Sequence, residues 1–165
     1  WCVNEDEAVR IAEYYYSGRD KKVQKTDEEY CDEIEKLAGD HYIRAVIVDP
    51  SASSFITALR RRSGFSVRNA NNDVLDGIRI TGRLLKNGKL KIHRSCKDAI
   101  REFGLYRWDD EKNNDQVIKE NDHAMDDIRY MCNTVLRRYY RLDRRENEEV
   151  QEMADRKILA RILPK

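Results

Sequence analysis

A single mixed α/β domain, a β-sheet flanked by helices, is what this sequence predicts, and three observations carry that expectation. Strand-like and helix-like stretches alternate along the 165 residues. The turn-like Asn4-Glu5-Asp6-Glu7 separates Trp1–Val3 from a second strand-like stretch, as in a β-hairpin. Ala45-Val46-Ile47-Val48 is an unbroken apolar run, the pattern of a central strand covered on both faces. A hairpin followed by alternating α and β stretches places helices on the faces of a mixed sheet. The length suits one compact domain and leaves little room for a second.

Each element has its own signal. Val9 and Ile11, and then Tyr14-Tyr15-Tyr16, suit a strand whose tyrosines alternate faces, so that at least one belongs to the core. Thr26-Asp27-Glu28-Glu29 is a capping box; Tyr30, Ile34, Leu37 and Ala38 follow helical spacing behind it, and Gly39 ends the helix. The apolar run ends at Asp49-Pro50, because a residue before proline is pushed to extended geometry. Ala52, Phe55, Ile56 and Leu59 mark a helix closed by Gly64, and Phe65–Val67 a short strand. Asp73 to Lys86 reads as a helix ending at Asn87-Gly88, Leu90-Lys91-Ile92-His93 as a strand, and Ser95-Cys96-Lys97-Asp98 as the start of a helix stopped by Gly104. Residues 109–121 are loop-like around a short strand at Val117-Ile118. A long helix follows from Asp122 to Tyr139. The charged residues 141–165 then form a helical tail that docks weakly through Ile158, Leu159 and Ile162, or serves a partner.

Charge excludes one simple account of function. With 32 basic and 31 acidic side chains the net charge is only +1, so affinity for nucleic acid has to come from local clusters. Cys2, Cys31, Cys96 and Cys132 are too scattered for a zinc knuckle or a redox CxxC pair, which predicts small thiols in a reducing compartment. The first residues lack a signal-peptide pattern and no apolar run approaches the ~20 residues of a membrane span, so the expectation is a soluble intracellular chain with no membrane partner. The chain opens on Trp1 rather than methionine, which predicts a piece of a longer protein.

Two acidic positions stand out by placement. Asp49 ends the most apolar strand, where open α/β sheets put their ligand sites; an Asp before Pro is also an ordinary turn or capping residue. In Asn121-Asp122-His123-Ala124-Met125-Asp126-Asp127, the carboxylates of Asp122 and Asp126 lie one helical turn apart. They flank an apolar face of Met125, Ile128, Met131, Cys132, Val135 and Leu136, with His123 within reach of Asp126. Two like charges at that spacing oppose each other unless a helix N-terminus or a metal neutralises them; alternatively Asp122 is an N-cap and the rest are solvated charges. If Asp49 and Asp126 converge, their oxygens suit Mg²⁺, which typically takes one or two protein carboxylates plus water and phosphate.

Three separated segments carry a resemblance. Val48-Asp49-Pro50-Ser51-Ala52, Asn69-Ala70-Asn71-Asn72-Asp73-Val74-Leu75-Asp76-Gly77-Ile78 and Glu120 to Tyr130 stand in the order found in the nuclease domain of phage terminase large subunits. Glu13-Tyr14-Tyr15-Tyr16-Ser17-Gly18-Arg19 matches as well, so that the resemblance covers roughly residues 1–140. It implies an RNase H-like fold and a metal-dependent endonuclease that cuts concatemeric double-stranded DNA with two Mg²⁺ or Mn²⁺ ions. By the same resemblance Asp49 and Asp126 are the second and third metal carboxylates, His123 lies beside the metal or the attacking water, and Asp122 is an auxiliary ligand. The family's first strand, with its first catalytic Asp, would precede Trp1, so the chain alone is expected to cleave poorly. Asp73 and Asp76 are read as helix-start residues. The implied partners are DNA, the terminase ATPase domain (no glycine-rich P-loop occurs in this sequence), the small terminase subunit and the portal, in the host cell cytoplasm.

Arg60, Arg61, Arg62, Arg68, Lys89 and Lys91 are the candidate DNA-backbone contacts. Cations at a helix C-terminus that complement its dipole are an equal reading of Arg60 to Arg62. Beside the nuclease stands a second function class, a non-catalytic DNA-binding or motor-assembly module of the same fold.

Overall fold

The computed structural model describes residues 1–62, 64–109 and 116–142, with all their side chains except those of Arg19 and Asp20. The N-terminal hairpin forms as expected. Asn4 Oδ1 accepts from the amides of Asp6 and Glu7 at 2.8 Å each and turns the chain between β1 (Cys2–Val3) and β2 (Ala8–Arg10). A short helix that the sequence pattern did not predict, α1 (Gly18–Lys21), comes next. Thr26 and Glu29 exchange both bonds of the capping box at the start of α2 (Asp27–Ala38), and Gly39, at φ 52°, ends it. Then come β3 (Val46–Val48), α3 (Ser53–Arg62), β4 (Val67–Asn69), α4 (Val74–Lys86), β5 (Leu90–Ile92) and α5 (Lys97–Phe103). Val117 makes an isolated bridge with Trp108 where the sequence suggested a short strand.

The long helix predicted from Asp122 to Tyr139 is present with one internal change of pitch. It begins as α6 (His123–Met131), passes through a π-helical turn at Cys132–Leu136, and continues as α7 (Arg137–Tyr139). The wider turn presents Thr134 and Asn133 to the loop after β4. Thr134 Oγ1 accepts from the Asn71 amide at 2.8 Å and Asn133 Nδ2 donates to the Asn71 carbonyl at 3.5 Å. Most of the tail, from residue 143, lies outside the described residues.

Two sheets result. In one, β2 is central, antiparallel to β1 and parallel to β5, with Ala8 opposite Leu90. In the other, β3 and β4 pair in parallel, with Val48 opposite Asn69. Among the described residues the two share no ladder, so β3, expected as a central strand, is bonded on one side only. The strand expected through Tyr14-Tyr15-Tyr16 is a correction: the ladder stops at Arg10. Side chains of that segment bind elsewhere, Glu13 to amides of α5, Tyr15 to Glu102 and Tyr16 to the Val23 carbonyl, and hold it away from a neighbouring strand.

Each sheet has its own core. Ile80, Leu84, Leu90, Met125, Ile128 and Leu136 fill one, and Cys31, Val48, Ile56, Ala58 and Leu59 the other. Cys31, Cys96 and Cys132 are buried free thiols; Cys2 is exposed. Helix α6 packs against α4, α5 and β3, and so touches both halves.

Gly77 sets how closely α4 approaches α6. A Cβ there would lie 3.1 Å from the Cβ of Arg129, an atom anchored to the facing helix that cannot swing aside. Gly77→Ala gains about 1 kcal/mol of helix propensity but overpacks this contact at a cost of about 1–3 kcal/mol. A net destabilisation of about 1 kcal/mol is therefore expected in urea unfolding; an unchanged or raised midpoint would show that the two helices separate freely.

Candidate functional site

The end of β3 meets one face of α6. Asp49 follows the last residue of the strand, and its Oδ1 accepts from the Ser51 amide at 2.8 Å, the bond of a turn residue before a helix. Its Oδ2 accepts from the hydroxyl of Tyr130. Tyr130 lies one turn after Asp126 on α6, so the strand end abuts the helix face that carries Asp126. The Tyr130 hydroxyl, then Ser51, hold the Asp49 carboxyl below the usual carboxylate range. Burial, the bond to Asp49 and the negative charge of Asp126 push the Tyr130 hydroxyl well up. Asp49 is thus ionised and Tyr130 protonated at neutral pH, which is what a donor–acceptor pair of this polarity requires.

Asp126 has a different partner. Its Oδ1 pairs with Arg129, a guanidinium only 3% exposed that also reaches the Asp73 carbonyl at 3.5 Å. Burial works against the Arg129 charge, but the ion pair outweighs it and keeps the arginine's pKa raised. Tyr106 stands beside this pair, and burial pushes its hydroxyl up against the opposing effect of the Arg129 charge.

The other site candidates are placed as follows. Asp122 occupies the N-cap position of α6, yet its side chain makes no cap hydrogen bond. Its buried carboxylate lies 4.0 Å from the Lys119 ammonium. His123 is exposed, its ring tilted against Tyr15 with centroids 6.2 Å apart. Asp73 caps α4, accepting from the Asp76 amide at 2.8 Å, in line with its reading as a helix-start residue. Among the described residues no three His, Cys, Asp or Glu side chains gather closely enough to hold a metal ion by themselves.

Most of the basic candidates are engaged within the fold. Arg61 pairs with Glu28 at 3.0 Å; Arg62 pairs with Glu28, Asp32 and Glu35 along α2; Arg60 reaches the Val67 carbonyl at 3.5 Å. Lys91 pairs with Glu7, and Lys89 lies over the Tyr140 ring and donates to the Glu5 carbonyl at 3.3 Å. Arg68 is exposed on β4, in register with Ile47, two residues before Asp49.

Sequence reasoning missed Glu102, Arg129, Tyr130, and the Arg10–Asp127 pair that ties β2 to α6. Tyr130 and Arg129 lay within a quoted motif, at helical spacing from Asp126, and that spacing was the available signal. Glu102 carried none, since its partners are distant in sequence.

No protein-family model matches the chain. It is 24% identical over 123 residues to the terminase large subunit of Escherichia phage T5, a match over 71% of this chain and 28% of that protein. To the terminase large subunit of Salmonella phage P22 it is 31% identical over 93 residues, covering 56% of this chain and 17% of the relative. The solved large terminase of the thermophilic bacteriophage D6E, in complex with ADP, superposes with a TM-score of 0.77 at 40% identity over 81% of this chain. The chain is homologous to part of the phage terminase large subunit. It spans 35% of the D6E terminase chain, and less of the other two relatives. The mixed α/β architecture, sheet flanked by helices, is similar to that of the large terminase structure and is consistent with an RNase H-like fold.

Two measurements check this geometry. Asp126→Ala would strand the buried Arg129 charge at a cost of about 3 kcal/mol, read by urea unfolding; Asp126→Asn, which keeps an acceptor, should lose less. Equal stability of wild type and the alanine variant would refute the pairing. Tyr130→Phe removes the largest cause of Asp49's lowered pKa. A depressed folded-state pKa stabilises above the unfolded carboxylate's pKa and is lost as pH falls through the folded value. The variant should therefore show Asp49 titrating at higher pH in carboxyl-carbon NMR; an unchanged titration would refute the bond.

Proposed function

We propose that this chain carries the endonuclease centre of a DNA-packaging terminase and cleaves double-stranded concatemeric DNA by two-metal phosphodiester hydrolysis. The observation that carries the proposal is the approach of Asp49 to the Asp126 face of α6 through the Tyr130 hydroxyl. That brings carboxylates from a strand end and a helix, far apart in sequence, toward one place. The donor set suits a hard divalent cation such as Mg²⁺ or Mn²⁺, which binds carboxylate oxygens and retains waters. Asp49 and Asp126 would hold it, with Asp122 as an auxiliary. Bound ions would neutralise the attacking and leaving oxygens of the phosphodiester.

The chain's own residues perform the remaining tasks. Tyr130, Ser51 and Asn72 keep Asp49 ionised and oriented by donating to it. Arg129 fixes the Asp126 carboxylate. His123, exposed three residues before Asp126 on α6, would offer a ring nitrogen to accept a proton from the attacking water. Arg68, beside the strand that ends at Asp49, is the basic candidate best placed to meet a phosphate near the cut. The terminase ATPase domain, the small subunit and the portal are the proposed partners, and the host cell cytoplasm the place of action.

The second reading, a non-catalytic DNA-binding or motor-assembly module, draws on the absence of a three-ligand cluster among the described residues. Supercoiled plasmid incubated with Mn²⁺ or Mg²⁺ separates the two. The full-length protein should nick the plasmid, while Asp49→Asn and Asp126→Asn should fall to the metal-free background. Nicking by both variants at the parent's rate, or none by the parent, would leave the module reading.

A further inference from the structure

Helix α6 is capped by a residue from another helix. In an ordinary N-terminus the N-cap side chain accepts from the amides two and three residues later. Here those amides belong to Ala124 and Met125, and both donate to Oε2 of Glu102 on α5, at 2.7 and 3.4 Å. Glu102 is fully buried. Its Oε1 accepts from the Tyr15 hydroxyl at 2.6 Å and lies 3.6 Å from Arg101. Tyr15 in turn packs against His123 and lies beneath Arg101. Asp122, which stands in the N-cap position and has the right chemistry, makes no such bond.

The same cap pattern recurs one step back. The first amides of α5, at Asp98 and Ala99, donate to Glu13 at 2.7 and 3.1 Å. Glu13 lies 3.7 Å from Arg10, and Arg10 pairs with Asp127 on α6. The chain of contacts thus closes on itself: Arg10, Glu13, α5, Glu102, α6, Asp127 and back to Arg10. A buried carboxylate at the positive end of a helix is a strong anchor, because the amides and the helix dipole both favour its charged form.

We propose that Glu102 is a positioning residue for the cation site: by capping α6 in place of Asp122, it fixes the helix face that carries Asp126 and Tyr130 against Asp49 and leaves the Asp122 carboxylate available to the site. This rests on the nuclease reading above. Without Glu102, Asp122, which stands in the N-cap position, would turn to cap its own helix and leave the cation site. Ligand-orienting partners of this type set metal affinity, since a site held loosely loses the geometry that the ion requires.

The test is Mn²⁺ binding, followed by electron paramagnetic resonance of the free ion and by broadening of the Ser51 and Asp126 amide signals, on the full-length protein. Glu102→Ala should weaken Mn²⁺ binding about tenfold, with Glu102→Gln, which keeps an acceptor oxygen, losing less. Asp122→Asn should weaken binding in the wild-type background and add nothing to Glu102→Ala, because there Asp122 has already left the site. If Glu102→Ala fails to fold, Glu102→Leu, which fills the same space without an acceptor oxygen, gives the same comparison with and without Asp122→Asn. Wild-type affinity in the folded Glu102 variants, or an Asp122→Asn loss of equal size in both backgrounds, would overturn the positioning role alone. A wild-type protein that does not bind Mn²⁺ would overturn the nuclease reading and this role with it.

Discussion

The N-terminus of α6 presents amides that need acceptors, and in this chain the acceptors come from tertiary structure. Glu102 supplies them, Glu13 does the same for α5, and Arg10 joins the two ends through Glu13 and Asp127. Buried charges are tolerated only when paired and bonded, and these satisfy one another around a closed circuit. The consequence is mutual dependence. The position of α6 requires α5, that of α5 requires the segment after β2, and the carboxylates on α6 inherit their placement from all three. The same circuit explains why Tyr14 to Tyr16 do not extend β2, since their segment is drawn into capping and packing instead.

A second constraint joins the two half-cores. One sheet is built from the hairpin and β5, the other from β3 and β4, and no ladder links them among the described residues. Helix α6 lies against both, and the bond from Tyr130 to Asp49 crosses the boundary at the point where the acids approach. Close packing makes that crossing possible. Gly77 leaves room for the stem of Arg129, and Arg129 pairs with Asp126 one turn earlier on the same helix. The candidate site is thus a property of the junction between the two halves and belongs to neither alone.

Charge is distributed in keeping with a net value near zero. Arg61 and Arg62 are joined to the acidic face of α2, and Lys91 to Glu7 on the hairpin turn. Exposed pairs of this type contribute little to stability individually, but each lowers the local positive field that a DNA backbone would meet. Arg68, on the strand beside Asp49, therefore carries more of the proposed phosphate contact than the arginine run at the end of α3.

The sequence by itself determined most of the local elements. The capping box of α2, the Asn4 turn, the helix from Asp73 to Lys86 and the long helix from Asp122 were legible because caps, turn residues and apolar periodicity act within a few residues of one another. The positions of Asp49 at a strand end and Asp126 in a first helical turn were legible for the same reason, and the family's segments marked both. Only the tertiary structure decided who caps α6, that Asp122 does not, and that Tyr130 meets Asp49. Those partners are separated by 22 residues for Glu102 and Ala124 and by 81 for Tyr130 and Asp49. A hydrogen bond at that separation leaves no periodic trace in the chain; it exists only once packing has brought both ends to the same place.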